Sequence, residues 1–206
     1  MAQVTTVKKQ MYELNGANII ESSTFRKYDG TLIEDVAQYV KDYFAEKRRV
    51  VSDEFQIFIG SDSQRVRKGR LTLYSTAICL YTVGKGAHVI YAKTKRNDIA
   101  PTARKVRKND KKKRPADTGL FYRLQWEVEY SMQVANYLNR NNVFAECGVG
   151  QVHFDIAINP EHDSNIAYSY AVGYAKNAGY NPRTKPDAIA ASYAADMCVR
   201  RWQICV

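Results

Sequence analysis

The stretch that decides the fold is Phe55-Gln56-Ile57-Phe58-Ile59-Gly60-Ser61-Asp62-Ser63-Gln64. Its aromatic and β-branched residues predict a strand. Because side chains alternate across a strand, Phe58, Gly60 and Asp62 share one face. A carboxylate there, two residues after a glycine that permits close approach, is placed to face a ligand. Asp62 is therefore the first candidate site residue, although aspartates that end strands in turns are common.

Further strands and one helix are predicted around this stretch. Runs rich in Ile, Val, Tyr and Thr at residues 71–83 and 87–93, separated from residues 54–60 and from each other by short glycine turns, predict an antiparallel three-strand meander. Apolar residues recur every three or four positions in residues 31–49. They predict an amphipathic helix with Thr31 as its N-cap.

The second half of the chain alternates helices and strands. It predicts a long helix over about 117–139, a strand within 143–158, a helix over 163–177, a possible short strand near 181–185, and a last helix from about Pro186 to 201. A meander followed by a crossover helix and parallel strands indicates an α/β fold. Its mixed five-stranded sheet is expected to carry helices on its faces.

Three more acids lie on other predicted elements. Glu127 belongs to the long helix, Asp155 closes the strand within 143–158, and Asp187 opens the last helix. Each has an ordinary alternative as a surface, turn or capping residue, and Glu129 and Asp196 compete with Glu127 and Asp187. Carboxylates cost free energy to bring together unless a cation lies between them. If folding converges the four acids, they predict a divalent-metal site, a common device for cutting phosphodiesters.

Other chemistry finds little support in the sequence. His153 shares a strand face with Asp155, but a lone strand histidine is more often structural, and the three histidines lack zinc-site spacing. The four cysteines contain no Cys-x-x-Cys pair and are expected to be free thiols in a reducing compartment. Neither a phosphate-binding Walker loop nor a serine nucleophile elbow is present.

The net charge of +10 is concentrated in one segment. Between Lys93 and Arg114 there are 11 basic and two acidic residues, so this segment carries nine of the ten net charges. Such a patch favours contact with nucleic-acid phosphates, whereas a solvated loop is the ordinary alternative. The candidate nucleic-acid-binding residues are Arg104, Lys105, Arg107, Lys108, Lys111, Lys112, Lys113 and Arg114.

Length and hydropathy indicate one globular domain. At 206 residues and 45% hydrophobic content, a single core can form. We expect an N-terminal arm of uncertain order at residues 1–23 and a domain over 24–206 with a basic insertion at 93–115. No apolar run reaches the roughly 20 residues of a membrane span, and no signal-peptide core is seen. A soluble, cytoplasmic protein of open oligomeric state is expected.

The order of elements and acids resembles the ribonuclease H-like superfamily. Within it, the motifs FIGSDSQ, WE, HFDI and KPDAIAASYA look like the YkuK-type family, a resemblance that runs over residues 25–199. The exonuclease branch carries Asp-x-Glu on its first strand, and Gln64 stands at that Glu position here. The sugar-kinase and actin-like branch expects a glycine-rich turn that Ser63-Gln64-Arg65 does not supply.

The resemblance implies a role for each acid. Asp62 would bridge two Mg²⁺ or Mn²⁺ ions, Glu127 and Asp155 would be the helical and fourth-strand ligands, and Asp187 would complete the other metal site. The implied activity is metal-dependent hydrolysis of phosphodiesters in DNA or RNA. The alternatives are a catalytically inactive nucleic-acid-binding or scaffold protein and, less favoured, a phosphoryl-transfer enzyme with another substrate.

Overall fold

A mixed seven-stranded sheet organises the chain. The computed structural model describes residues 19–48, 54–66, 71–97 and 118–203. The strands are β1 (Phe25–Lys27), β2 (Leu32–Ile33), β3 (Phe55–Val66), β4 (Leu71–Thr82), β5 (Gly86–Arg96), β6 (Val149–Phe154) and β7 (Asn181–Arg183). Their order across the sheet is β2-β1-β5-β4-β3-β6-β7. β3, β4 and β5 form the predicted antiparallel meander, and β6 and β7 continue the sheet in parallel beside β3.

Six helices accompany the sheet in the described residues. They are α1 (Ile19–Ser22), α2 (Val36–Arg48), α3 (Thr118–Arg140), α4 (Val143–Cys147), α5 (Tyr168–Asn177) and α6, which is π-helical over Ala190–Ala195 and α-helical over Asp196–Gln203. A 3-10 turn at Asp163–Ala167 precedes α5. The predicted α/β fold with a mixed sheet flanked by helices is confirmed.

The predicted count of five strands is wrong, because a short hairpin adds two strands at one edge. β1 pairs with β5 through Arg26↔Tyr91, and β2 pairs with β1. Gly30, at φ 97°, turns the chain between them, and the Thr31 N–H donates to Asp29 Oδ1 (2.8 Å). These strands hold two and three residues, too few for an alternating pattern to show.

The same hairpin displaces the start of the next helix. Residues 31–35, predicted to be helical, include β2, and α2 begins only at Val36. Asp35 rather than Thr31 caps it, since the Gln38 N–H donates to Asp35 Oδ1 (3.0 Å). Leu32 happens to fit the three-to-four-residue spacing of apolar residues in α2. The predicted helix therefore began too early, at Thr31.

The two faces of the sheet carry cores of different kinds. On one face, Ile57, Ile59 and neighbours pack with α2, α3 and α5 in a large cluster of bulky residues. On the other, Phe58, Ala77 and Cys79 meet three alanines of α6. α6 docks so closely that a Cβ on Gly60 would lie 2.5 Å from the backbone nitrogen of Ala191. The second face is therefore built from small residues and backbone contact.

Candidate functional site

Asp62 lies on the α6 face of β3, as the alternation predicts. It follows Phe58 and Gly60 on that face, and its side chain is only 8% exposed. One carboxylate oxygen, Oδ2, is buried and has no hydrogen-bond partner within the described ranges. An unpartnered buried carboxylate oxygen is costly, so Asp62 is the feature of this face that most needs a cation or a proton.

Asp155 stands beside Asp62 where the parallel ladder ends. The last register pair of β3 and β6 is Ser61↔Phe154, so Asp62 and Asp155 are the first residues beyond it. The Ser192 hydroxyl of α6 donates to Asp155 Oδ1, and Lys185 Nζ lies 2.9 Å from Asp155 Oδ2. Asp155 is thus held on the α6 face at the carboxyl ends of two parallel strands.

Glu127 reaches the site from the opposite face of the sheet. It belongs to α3 and is 4% exposed. The Ser63 hydroxyl, which alternation places opposite Asp62, donates to Glu127 Oε1 (2.6 Å). Arg123 Nη1 donates to the Ser63 carbonyl (3.0 Å) and lies 3.5 Å from Glu127 Oε1. Glu127 and Asp62 therefore flank β3 from its two sides.

The acids influence one another electrostatically. Burial first, and then the charge of Glu127, raises the pKa of Asp62 to about 8, to which Asp196 and Asp155 also contribute. Burial raises the pKa of Glu127 to about 7, with Arg123 opposing and Asp155 adding to the rise. These are the signs of carboxylates gathered where their negative charges repel, as expected of a functional site.

Asp187 and Asp196 are placed differently around the last helix. Asp187 is exposed, in a turn that its N–H closes on the Thr184 carbonyl (2.9 Å), and among the described residues it takes part in no ion pair. The Lys185–Pro186 peptide bond in that turn is cis, and the helix begins three residues after Asp187, at Ala190. Asp196, four residues after Ser192, is the acid of α6 whose charge acts on Asp62.

Glu129 and His153, the remaining candidates from the sequence, make contacts with α5 and α6. Glu129, the competitor of Glu127, accepts a hydrogen bond from the Tyr170 hydroxyl of α5 and not from Ser63. His153 Nδ1 accepts the Ala190 N–H (3.1 Å), and its ring stacks on Phe58 at 4.7 Å between centroids. His153 thus anchors the start of α6, the structural role that the sequence favours.

A divalent metal suits these donors chemically. All are carboxylate oxygens, which Mg²⁺ and Mn²⁺ prefer, and Asp62 Oδ2 lacks a partner. In the part of the chain that the structure describes, however, no group of three or more His, Cys, Asp or Glu side chains stands close enough to hold a metal ion. Asp155 forms an ion pair with Lys185, and Glu127 forms one with Arg123.

Several contacts of the site escaped sequence reasoning. Ser63, Arg123, Lys185 and Ser192 each touch an acid, yet none belongs to a residue type that signals a site by itself. One signal was available for Ser192, a hydroxyl within the alanine-rich run that otherwise packs α6 on the sheet. The others depend on contacts between distant parts of the chain.

The predicted nucleic-acid residues from Arg104 to Arg114 lie outside the described residues, as does most of the predicted arm at 1–23. The beginning of the basic segment is described: Lys93, Lys95 and Arg96 belong to β5. Among the described helices, none is long and apolar enough to cross a membrane.

Comparison with known proteins agrees with the fold. The family model described as Ribonuclease H-like matches residues 35–112 and 107–200. These ranges include β3 with Asp62, α3 with Glu127, and the segments that carry Asp155 and Asp196. No curated protein and no solved structure matches the chain.

Proposed function

The chain belongs to the ribonuclease H-like family, and on that premise we propose that it is a divalent-metal-dependent nuclease hydrolysing phosphodiester bonds in DNA or RNA. The observation that carries the proposal is the buried carboxylate of Asp62. It has an unpartnered oxygen and a pKa raised to about 8, with Glu127, Asp155 and Asp196 all acting on it. A bound cation would relieve that repulsion.

We assign different roles to the residues of the site. To hold two Mg²⁺ or Mn²⁺ ions, Asp62, Asp155 and Glu127 would have to draw closer together than they stand in this structure. The bound ions would supply an activated water and charge stabilisation at the leaving oxygen. Ser63 and Ser192 orient Glu127 and Asp155 through hydrogen bonds. Lys185 and Arg123 place positive charge beside the acids, where a phosphate group would approach.

We propose further that the chain is of the YkuK type. Two of the motifs that carry this resemblance meet at the site. FIGSDSQ contributes Asp62 and Ser63, and KPDAIAASYA contributes Lys185 and Ser192, both of which contact Asp155.

A catalytically inactive nucleic-acid-binding or scaffold protein is the second candidate. One observation favours it: Asp155 and Glu127 are already neutralised by Lys185 and Arg123. A protein of this kind needs positive charge for binding and no metal at all.

Asp62→Asn tests the proposal. With Mn²⁺ or Mg²⁺ and labelled DNA duplex, RNA–DNA hybrid, single-stranded RNA and branched DNA as substrates, we expect cleavage to fall about a thousandfold. The reason is that Asn keeps the shape but removes the charge that holds the metal. Asp42→Asn on the exposed face of α2 makes the same charge change away from the site and should leave cleavage intact. Equal cleavage by wild type and Asp62→Asn, or none by wild type on any substrate, would reject the nuclease.

The fourth acid is tested by comparing Asp196→Asn with Asp187→Asn. Because Asp196 acts on Asp62 whereas Asp187 is exposed in the preceding turn, we expect Asp196→Asn to weaken Mn²⁺ binding about tenfold. Asp187→Asn should change it about twofold or less. Isothermal titration calorimetry measures both. If Asp187→Asn weakens Mn²⁺ binding more than Asp196→Asn does, Asp187 is the fourth metal ligand, as the family resemblance implies.

A further inference from the structure

Two arginines lie in one row across the meander, on the α3 face of the sheet. Arg65 of β3 and Arg96 of β5 both pair with Thr72 of β4, which lies between them. Directly opposed residues of antiparallel strands point to the same face, so both arginines project from one side. Two strand spacings separate their Cα atoms by about 10 Å.

Arg96 is held in place by an aromatic ring. Its guanidinium carbon lies 3.5 Å from the centroid of the Trp126 ring, and its Nη1 donates to the Tyr130 hydroxyl (3.4 Å). A guanidinium stacked on a ring keeps the N–H groups at its edge free to bind an oxyanion with two parallel hydrogen bonds. Less side-chain entropy is then lost when the anion binds.

The row carries positive charge that none of the described acids neutralises. Among the described residues, no ion pair involves Arg65 or Arg96, and neither is buried. Unpaired arginines on a rigid sheet favour a phosphate ligand.

The row also has a definite position relative to the acids. Arg65 follows Asp62 by three residues of β3, a distance of about 10 Å. Arg123, whose Nη1 lies 3.0 Å from Ser63 Oγ, stands near Glu127 on the α3 face of the sheet, as the row does, whereas Asp62 and Asp155 lie on the α6 face. A phosphate on the row is therefore not the phosphate next to the acids, but another one of the same strand.

We propose that Arg65 and Arg96, with Trp126 as the support of Arg96, form a binding site for backbone phosphates of a nucleic-acid strand that extends beyond the cleaved bond. The inference rests on the proposed function, since it takes a nucleic acid as the ligand. It concerns only described residues and does not depend on the basic insertion. The site positions the strand and carries out no chemistry.

The test measures binding without cleavage. In EDTA, fluorescence anisotropy with a short labelled RNA–DNA hybrid and a short single-stranded RNA gives affinity at salt concentrations between about 50 and 200 mM. We expect Arg96→Met to weaken binding roughly tenfold. The slope of log affinity against log salt should shrink by about 0.9 for a duplex or about 0.7 for a single strand, the loss of one phosphate contact.

Two further variants separate this site from a general charge effect. Arg140→Met removes an exposed arginine at the far end of α3 and should leave the slope unchanged. Trp126→Leu keeps every charge but frees Arg96, so we expect weaker binding with an unchanged slope. Circular dichroism confirms that each variant is folded. If Trp126→Leu does not fold, Arg96→Met alone still tests the arginine row, because its half-buried side chain lies at the edge of the structure.

The outcomes distinguish this inference from the nuclease itself. If Arg96→Met binds like Arg140→Met while Asp62→Asn still abolishes cleavage, the arginine row does not bind phosphate, and the proposed nuclease activity is retained. If Arg96→Met loses affinity and slope but wild type cuts no substrate, the row stands and the nuclease is rejected. Absence of binding by wild type to both probes overturns the row.

Discussion

The two faces of the central sheet are built on opposite principles. The face under α2, α3 and α5 buries large side chains such as Tyr74, Ile78 and Leu138 in one continuous core. The face under α6 buries mainly alanines, and Gly60 lets the helix backbone approach directly. The first face supplies most of the apolar burial that stabilises the fold. The second brings a helix close enough for Ser192 to bond Asp155 and for Asp196 to act on Asp62.

This difference suggests that stability and site geometry can be damaged separately. A substitution under α3 should lower the free energy of unfolding without moving the acids. A substitution under α6 should disturb the acids out of proportion to its effect on stability.

Leu138→Ala should cost the most stability, because Leu138 is fully buried in the large core. We expect about 3 kcal/mol less free energy of unfolding, from lost burial and the cavity left behind. Urea denaturation measures it. Mn²⁺ affinity by calorimetry should stay within about twofold of wild type, since the substitution lies on the face away from Asp62. A large loss of Mn²⁺ affinity in a folded Leu138→Ala protein would show that the faces are coupled.

Gly60→Ala should lower the free energy of unfolding less than Leu138→Ala does, but it should weaken Mn²⁺ binding more. Its new Cβ would lie 2.5 Å from the Ala191 nitrogen, so α6 must move away, at about 2 kcal/mol. Because α6 carries Ser192 and Asp196, we expect Mn²⁺ affinity to fall about tenfold. Gly173→Ala in α5 is the matched control: nothing lies within 4 Å of its Cβ, and the same added methyl should stabilise the helix slightly. Unchanged Mn²⁺ affinity in Gly60→Ala would refute the importance of close docking.

Asp62→Asn should stabilise the metal-free protein in a pH-dependent way. Asp62 titrates near 3.9 in the unfolded chain, but burial and neighbouring acids raise its pKa to about 8 when folded. The ionisation of Asp62 therefore lowers the stability of wild type as the pH rises from about 4 to about 8, and Asp62→Asn lacks this contribution. We expect the variant to gain about 1 to 2 kcal/mol at pH 8, less than the full shift allows because the buried amide also lacks a partner.

Thermal unfolding in EDTA across that pH range measures the difference between the two proteins. The pH-dependent part of this difference should fall to about 0.5 kcal/mol near pH 4, where the carboxyl is protonated in the folded state and about half protonated in the unfolded chain. Asp42→Asn, at an exposed position, should show no such trend. A variant less stable than wild type at every pH would mean that the ionised carboxylate of Asp62 is stabilised in the folded protein, contrary to its raised pKa.

Much of the fold follows from local patterns. The alternation in β3 correctly placed Phe58, Gly60 and Asp62 on one face, and the apolar spacing located α3 within two residues at each end. The meander and the parallel strand beside it also agree with the pattern. The edge hairpin and the true start of α2 were missed, because two- and three-residue strands are selected by pairing with β5 and not by their own sequence.

The candidate site was predictable only in part. Asp62 and Asp155 could be placed from the sequence, since alternation along β3 gives the face of Asp62 and Asp155 directly follows the last residue of β6. β3 itself continues four residues beyond Asp62, to Val66. The choice of Glu127 over Glu129 as the neighbour of Asp62 required the bond from Ser63, 64 residues away along the chain. The positions of Asp187 and Asp196 depend on where α6 begins, which follows the hydrogen-bonded turn between Thr184 and Asp187.

By itself, the sequence determined which residues alternate, where helices gain an apolar stripe, and that four acids lie on four separate elements. Those are local properties, because each depends on neighbours within a few positions. Tertiary structure alone decided which acids act on Asp62, which cations neutralise its partners, and how the arginine row faces the solvent. These depend on cross-strand register and on the docking distance of α6, and a glycine facing an alanine backbone sets that distance.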